Sequence, residues 1–145
     1  MTNFIAFDPG KNKCGVLLAD IDLRIVLDGK VVHRNSVVEL IHLWEKNHSI
    51  DLIVMGNGTS SDYWKLKVNQ KSSIPIKLFD ERNTTFRARN RYWDLWPRKF
   101  IFRLVPFGLM IPPQNLDAIA ALVLLEDYLK IQFQWIDKPS FKTWP

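Results

Sequence analysis

At 145 residues and 47% hydrophobic content the chain is near the commonest size for one folding unit and carries enough apolar surface for a buried core, so one domain over residues 1–145 is expected. Lys and Arg number 20 against 15 Asp and Glu, a net charge of +5 that favours an anionic partner without naming one. The single cysteine, Cys14, excludes an internal disulfide and a paired-cysteine zinc site; it reads as a small buried side chain in a reducing, cytoplasmic setting.

Residues 3–7 form a short apolar run with no basic leader before it, so no secretory signal is expected, and the run ends at Asp8-Pro9-Gly10. Residues 15–19 form a second run, followed by Asp20, and both read as buried strands. The stretch 25–33 carries Asp28-Gly29 in its middle, the signature of a hairpin turn or bulge between the second and third strands. Ser36 with Glu39 three residues on is a capping-box pattern, and Val37, Leu40, Ile41 and Trp44 recur at helical spacing, which predicts a helix over 37–46.

Residues 51–55 are a compact strand ending at Gly56-Asn57-Gly58, and a helix is expected around 63–70. The run 74–79 contains Pro75 and reads as an edge strand, because proline cannot donate to a central ladder. A helix is predicted from Asn83 until Pro97, irregular chain over 97–113, and then a strongly apolar helix over 116–130 capped by Asn115. Its apolar stretch, 118–125, is far short of the roughly 20 residues a membrane helix needs, so no membrane partner is expected. The last fifteen residues hold Trp135, Phe141 and Trp144 without a period and are expected to be an irregular tail.

Three acids stand at the edges of apolar elements. Asp8 lies where the first strand meets a Pro-Gly turn, Glu81 follows the strand ending at Phe79, and Asp117 opens the last helix just before the small face Ala118-Ile119-Ala120-Ala121. Each alone has an ordinary reading, as turn chemistry for Asp8 and as favourable helix-start charge, worth about 0.3–1 kcal/mol, for the other two. Together they are what a hard divalent cation such as Mg2+ or Mn2+ requires: a few oxygen ligands that leave room for water and a phosphate. Two such ions about 4 Å apart activate water and stabilise the leaving oxygen in phosphodiester hydrolysis. His33, His42 and His48 are scattered and suit surface positions.

The order of the motifs resembles the YqgF (RuvX-like) family of Holliday-junction-resolvase-like nucleases. Phe7-Asp8-Pro9-Gly10 with Lys13 and Gly15-Val16, then Asp80-Glu81-Arg82-Asn83-Thr84-Thr85, then Leu116-Asp117-Ala118-Ile119-Ala120-Ala121, are similar to that family's three acidic motifs. The resemblance implies a ribonuclease-H-like fold, with a five-stranded mixed sheet whose second strand is antiparallel, flanked by helices. It also implies that Asp8, Glu81 and Asp117 are catalytic metal ligands. Phe86-Arg87-Ala88 departs from the family's usual small or acidic residue before the alanine, and the loop after Gly56 lacks its usual proline.

Residues 82–103 interleave Arg82, Arg87, Arg89, Arg91, Arg98, Lys99 and Arg103 with Phe86, Tyr92, Trp93 and Trp96. With Lys13, the arginines Arg82, Arg87, Arg89 and Arg91 are the expected phosphate contacts, while the aromatics read equally as base-stacking platforms or as core. The leading function is a metal-dependent endonuclease, and the YqgF resemblance implies precursor small-subunit ribosomal RNA as its first substrate, with a ribosomal partner as a candidate. Branched DNA is the second substrate, and a non-catalytic RNA-binding module of the same fold the competing class. Asp8-Pro9-Gly10 followed by Gly15 also resembles the phosphate loop of two-domain sugar kinases, for which the chain is too short. A junction resolvase needs two symmetric sites, and no dimer signature is evident, so a monomer or weak homodimer is expected.

Overall fold

Alternation along the first strands decides which side chains meet which layer. The computed structural model describes residues 2–58, 60–80, 84–97 and 115–145. In chain order these form β1 (Asn3–Asp8), β2 (Lys13–Asp20), β3 (Ile25–His33), a 3-10 turn (Arg34–Ser36), α1 (Val37–Asn47), β4 (Leu52–Gly56), α2 (Ser61–Asn69), β5 (Ile76–Phe79), α3 (Thr84–Leu95), α4 (Asp117–Leu129) and β6 (Thr143–Trp144). The sheet order is β5-β4-β1-β2-β3-β6, with β2 antiparallel to both β1 and β3 and with β1, β4 and β5 parallel. The first five of these strands are the expected ribonuclease-H-like arrangement.

Ile5 and Phe7 on β1 join Cys14, Val16 and Leu18 of β2 in a core that α1 and α2 cover with Leu40, Ile41, Trp44, Trp64 and Val68. Ala6 on the other face of β1 joins Leu17 and Ala19 under α4, whose residues Ala118 to Leu125 are all buried. The helix is apolar nearly all round because it packs on the sheet on one side and on α3 and the tail on the other. Pro75 precedes β5, which is an edge strand as read from the sequence. Among the described residues no helix is long and apolar enough to cross a membrane.

Among the described residues the sheet has six strands, not five. The tail supplies the sixth: Thr143 and Trp144 pair in parallel with Val31 and Val32, and Gln134 bridges to Ile25. Phe133 and Trp135 are buried beside it. Phe133 and Trp135 flank the single bridge at Gln134, too short a pairing to leave a period to read. The β2–β3 turn is at Ile21–Arg24, while β3 runs unbroken through Asp28-Gly29, with a bulge where the register shifts between Leu18 and Ala19. Gly29 serves packing instead: a Cβ there would run into the Trp135 ring.

Two caps also differ from expectation. Ser36 makes no side-chain cap bond, because the chain enters α1 through the preceding 3-10 turn. Leu116, not Asn115, holds the cap position of α4. Asn115 takes a left-handed backbone (φ 63°) and its side chain donates to the Phe141 carbonyl at 3.4 Å, tying the tail to the start of the helix.

Candidate functional site

Because β1, β4 and β5 are parallel, their carboxyl ends at Asp8, Gly56 and Phe79 share one edge of the sheet. That edge is where ligands gather in open α/β folds. Asp8, the last residue of β1, stands opposite Gly15 of β2. A Cβ on Gly15 would collide with the Asp117 carbonyl and sit 2.8 Å from the Ala118 nitrogen. The first turn of α4 therefore rests directly on the residue paired with Asp8. A glycine at this single register position thus brings together two acids more than a hundred residues apart in the chain.

Both carboxylates are half-buried. Burial pushes the Asp117 carboxyl above the ordinary carboxylate range, against the opposing effects of its own backbone N–H and of the positive charge on Lys13. The buried Cys14 thiol is also pushed up, first by desolvation, and the charges of Asp8 and Asp117 add to the shift. One sulfur thus lies within electrostatic reach of both acids. Lys13 is half-exposed at the start of β2, opposite His33.

Among the described residues, no three His, Cys, Asp or Glu side chains gather into a group that could hold a metal. Asp8 and Asp117 make two of the expected set; Glu81 lies outside the described residues, as do Arg82, Arg98, Lys99 and Arg103. The donor chemistry of the pair fits Mg2+ or Mn2+. Both are hard oxygen ligands at an edge, and burial of the Asp117 carboxyl outweighs the backbone N–H and the Lys13 charge that oppose it.

The α3 arginines are placed differently from a simple basic stripe. Arg91 donates to both Glu126 oxygens at 2.9 and 2.8 Å and to the Phe133 carbonyl at 2.9 Å, and its side chain is 13% exposed. Arg87 makes a bidentate pair with Asp127 at the surface. Glu126 lies nine residues after Asp117, which is about 14 Å along the helix. Arg89 is half-buried on the same helix. Of the aromatics, Tyr92 is buried and Trp93 and Trp96 pack against the core, so these are core residues; Phe86 is 69% exposed.

A residue not singled out from the sequence also reaches this edge. Arg34 follows β3 directly, and its backbone N–H donates to the Asn12 carbonyl in the loop after Asp8 at 3.0 Å. The signal for it lay in strand pairing: once Lys13 is set opposite His33, whatever follows His33 must fall beside the β1–β2 loop.

No protein-family model matches the chain, and no curated protein matches it. Solved structures similar to it include RuvC of T. thermophilus in complex with a Holliday junction substrate, at 15% identity and a TM-score of 0.48, covering 90% of this chain and 95% of that one. Thermus thermophilus RuvC is similar at 12% identity and a TM-score of 0.49, covering 88% and 95%. The catalytic core domain of BIV integrase is similar at 11% identity and a TM-score of 0.41, covering 86% and 81%.

Proposed function

We propose that the chain is a metal-dependent endonuclease that hydrolyses phosphodiester bonds of structured nucleic acid at the edge holding Asp8 and Asp117. The observation that carries the reading is the Gly15 contact, which sets the start of α4 against the strand residue paired with Asp8. Asp8 and Asp117 would hold Mg2+ or Mn2+, with Glu81 as the third ligand from the segment after β5. The chemistry such ions supply is activation of water and neutralisation of charge at the leaving oxygen. The protein's part is to keep the two carboxylates on a rigid strand end and helix start, where they cannot relax away from the ions. Lys13 adds positive charge beside Asp117, favouring approach of a phosphate.

The resemblance of the three acidic motifs to the YqgF family favours the precursor of small-subunit ribosomal RNA as the first substrate. One site suffices for that cut, whereas resolving a four-way DNA junction requires two sites related by symmetry. The test is cleavage of both labelled substrates with and without Mg2+, combined with sedimentation. Cleavage of RNA by a monomer supports the reading; paired symmetric nicks by a tight dimer would move the substrate to branched DNA. Nucleic-acid binding with no metal-dependent cleavage of either would favour the non-catalytic binding module.

A further inference from the structure

A second group of cations gathers beside the same edge, on the face of the sheet covered by α2. Tyr63 and Trp64 lie in the first turn of α2, which follows the carboxyl end of β4, and the Trp64 ring meets Phe7 edge-on at 4.9 Å, next to Asp8. The Arg34 guanidinium stands 4.6 Å from the Tyr63 ring centroid and 5.5 Å from that of Trp64. Lys67, one helical turn on from Tyr63, donates to the phenol oxygen at 2.9 Å and lies 5.3 Å from the ring. Among the described residues neither cation has a carboxylate within ion-pair distance, although both are half-buried. The contrast with α3 is direct, since Arg87 and Arg91 are each matched to an acid.

Partly desolvated cations without a counter-charge raise the affinity of a site for anions. Here one aromatic ring steers both of them, which reduces the rotamer freedom lost when an anion arrives. Both cationic centres lie within 5.3 Å of one ring centroid, so they span at most about 10 Å, a reach on the scale of neighbouring phosphates of one backbone, each strand of a duplex carrying one charge per about 3.4 Å of helix axis. Their position is fixed relative to the candidate centre through the Arg34–Asn12 and Trp64–Phe7 contacts.

We propose that Arg34, Lys67 and Tyr63 form a phosphate-binding shelf that holds the backbone of a single nucleic-acid strand running past the Asp8 edge. The inference rests on the nuclease reading and adds to it the path of the strand on the α2 side of the sheet. Binding of a short labelled single-stranded oligonucleotide, as DNA and as RNA, would be followed by anisotropy across a salt series, with Mg2+ replaced by Ca2+ to limit cleavage. The double variant Arg34→Gln, Lys67→Gln should weaken binding of both strands and lower the salt slope by about 1.4, at roughly 0.7 per lost phosphate contact. Tyr63→Phe, which removes the oxygen that orients Lys67, should weaken binding by less. Lys46→Ala, an exposed charge in the last turn of α1, controls for net charge and should leave the slope unchanged. A slope unchanged in a folded double variant, with wild-type binding and cleavage intact, overturns the shelf alone. A wild-type chain that neither binds nor cuts nucleic acid overturns the nuclease reading and the shelf with it.

Discussion

At Gly15 a missing side chain lets α4 settle on β2 with its first residue beside the register partner of Asp8. Gly15→Ala should therefore cost about 1–3 kcal/mol, because the atoms in the way are backbone and the helix start must move. Urea denaturation checks this, and a variant as stable as the native chain would contradict the contact. Asp117 has its carboxyl raised by burial. The stability linked to that shift is full below its unfolded pKa and is lost as pH rises through its folded pKa. In EDTA, Asp117→Asn should accordingly melt higher than the native chain at pH 7, and the gap should close near pH 3. A variant less stable at pH 7 would show that the ionised form is welcomed without metal.

The α3–α4 pairing turns on Arg91 and Glu126, an ion pair 13% and 10% exposed that also receives the Phe133 N–H at 2.9 Å. Removing one partner leaves a buried charge, so Glu126→Ala should cost about 3–5 kcal/mol, and the double replacement Arg91→Met, Glu126→Leu should recover much of it. Arg87→Ala, at a pair 47% and 33% exposed, should cost no more than about 1 kcal/mol. Thermal or urea melts of the four proteins check both, and equal costs for the two single variants would contradict the burial argument. These elements also show what was legible in advance. Runs such as 3–7, 15–19 and 51–55 alternate or stay apolar because the sheet is covered on both faces, and their strands were read correctly. The Pro75 edge followed from the missing donor. The sixth strand, the site of the β2–β3 turn and the Asn115 tie to Phe141 were not legible, since each depends on where distant tail residues pack. Asp8 and Asp117 stood out by their motifs, whereas Arg34 and Lys67 are single cations whose meaning appears only when the turn after β3 meets α2.

Among the described residues, the candidate acids and the cations without a carboxylate partner are sorted onto the two sides of one edge. Asp8 and Asp117 lie on the α4 side and Arg34 and Lys67 on the α2 side, while the α3 arginines Arg87 and Arg91 are held by α4. A divalent ion bound only to the native state should raise the melting temperature by about 5–10 °C at a hundredfold excess over its Kd. Asp8→Asn and Asp117→Asn should each abolish that shift, and a shift retained in either would remove that residue from the centre. The most direct measurement is single-turnover cleavage of labelled precursor RNA and of a four-way junction by the native chain, Asp8→Asn and Asp117→Asn, in Mg2+ and in EDTA. The account predicts cleavage of at least one substrate by the native chain in Mg2+, none in EDTA, and none by either folded variant. Cleavage that persists in EDTA, or near-native turnover by Asp8→Asn or Asp117→Asn, would contradict it.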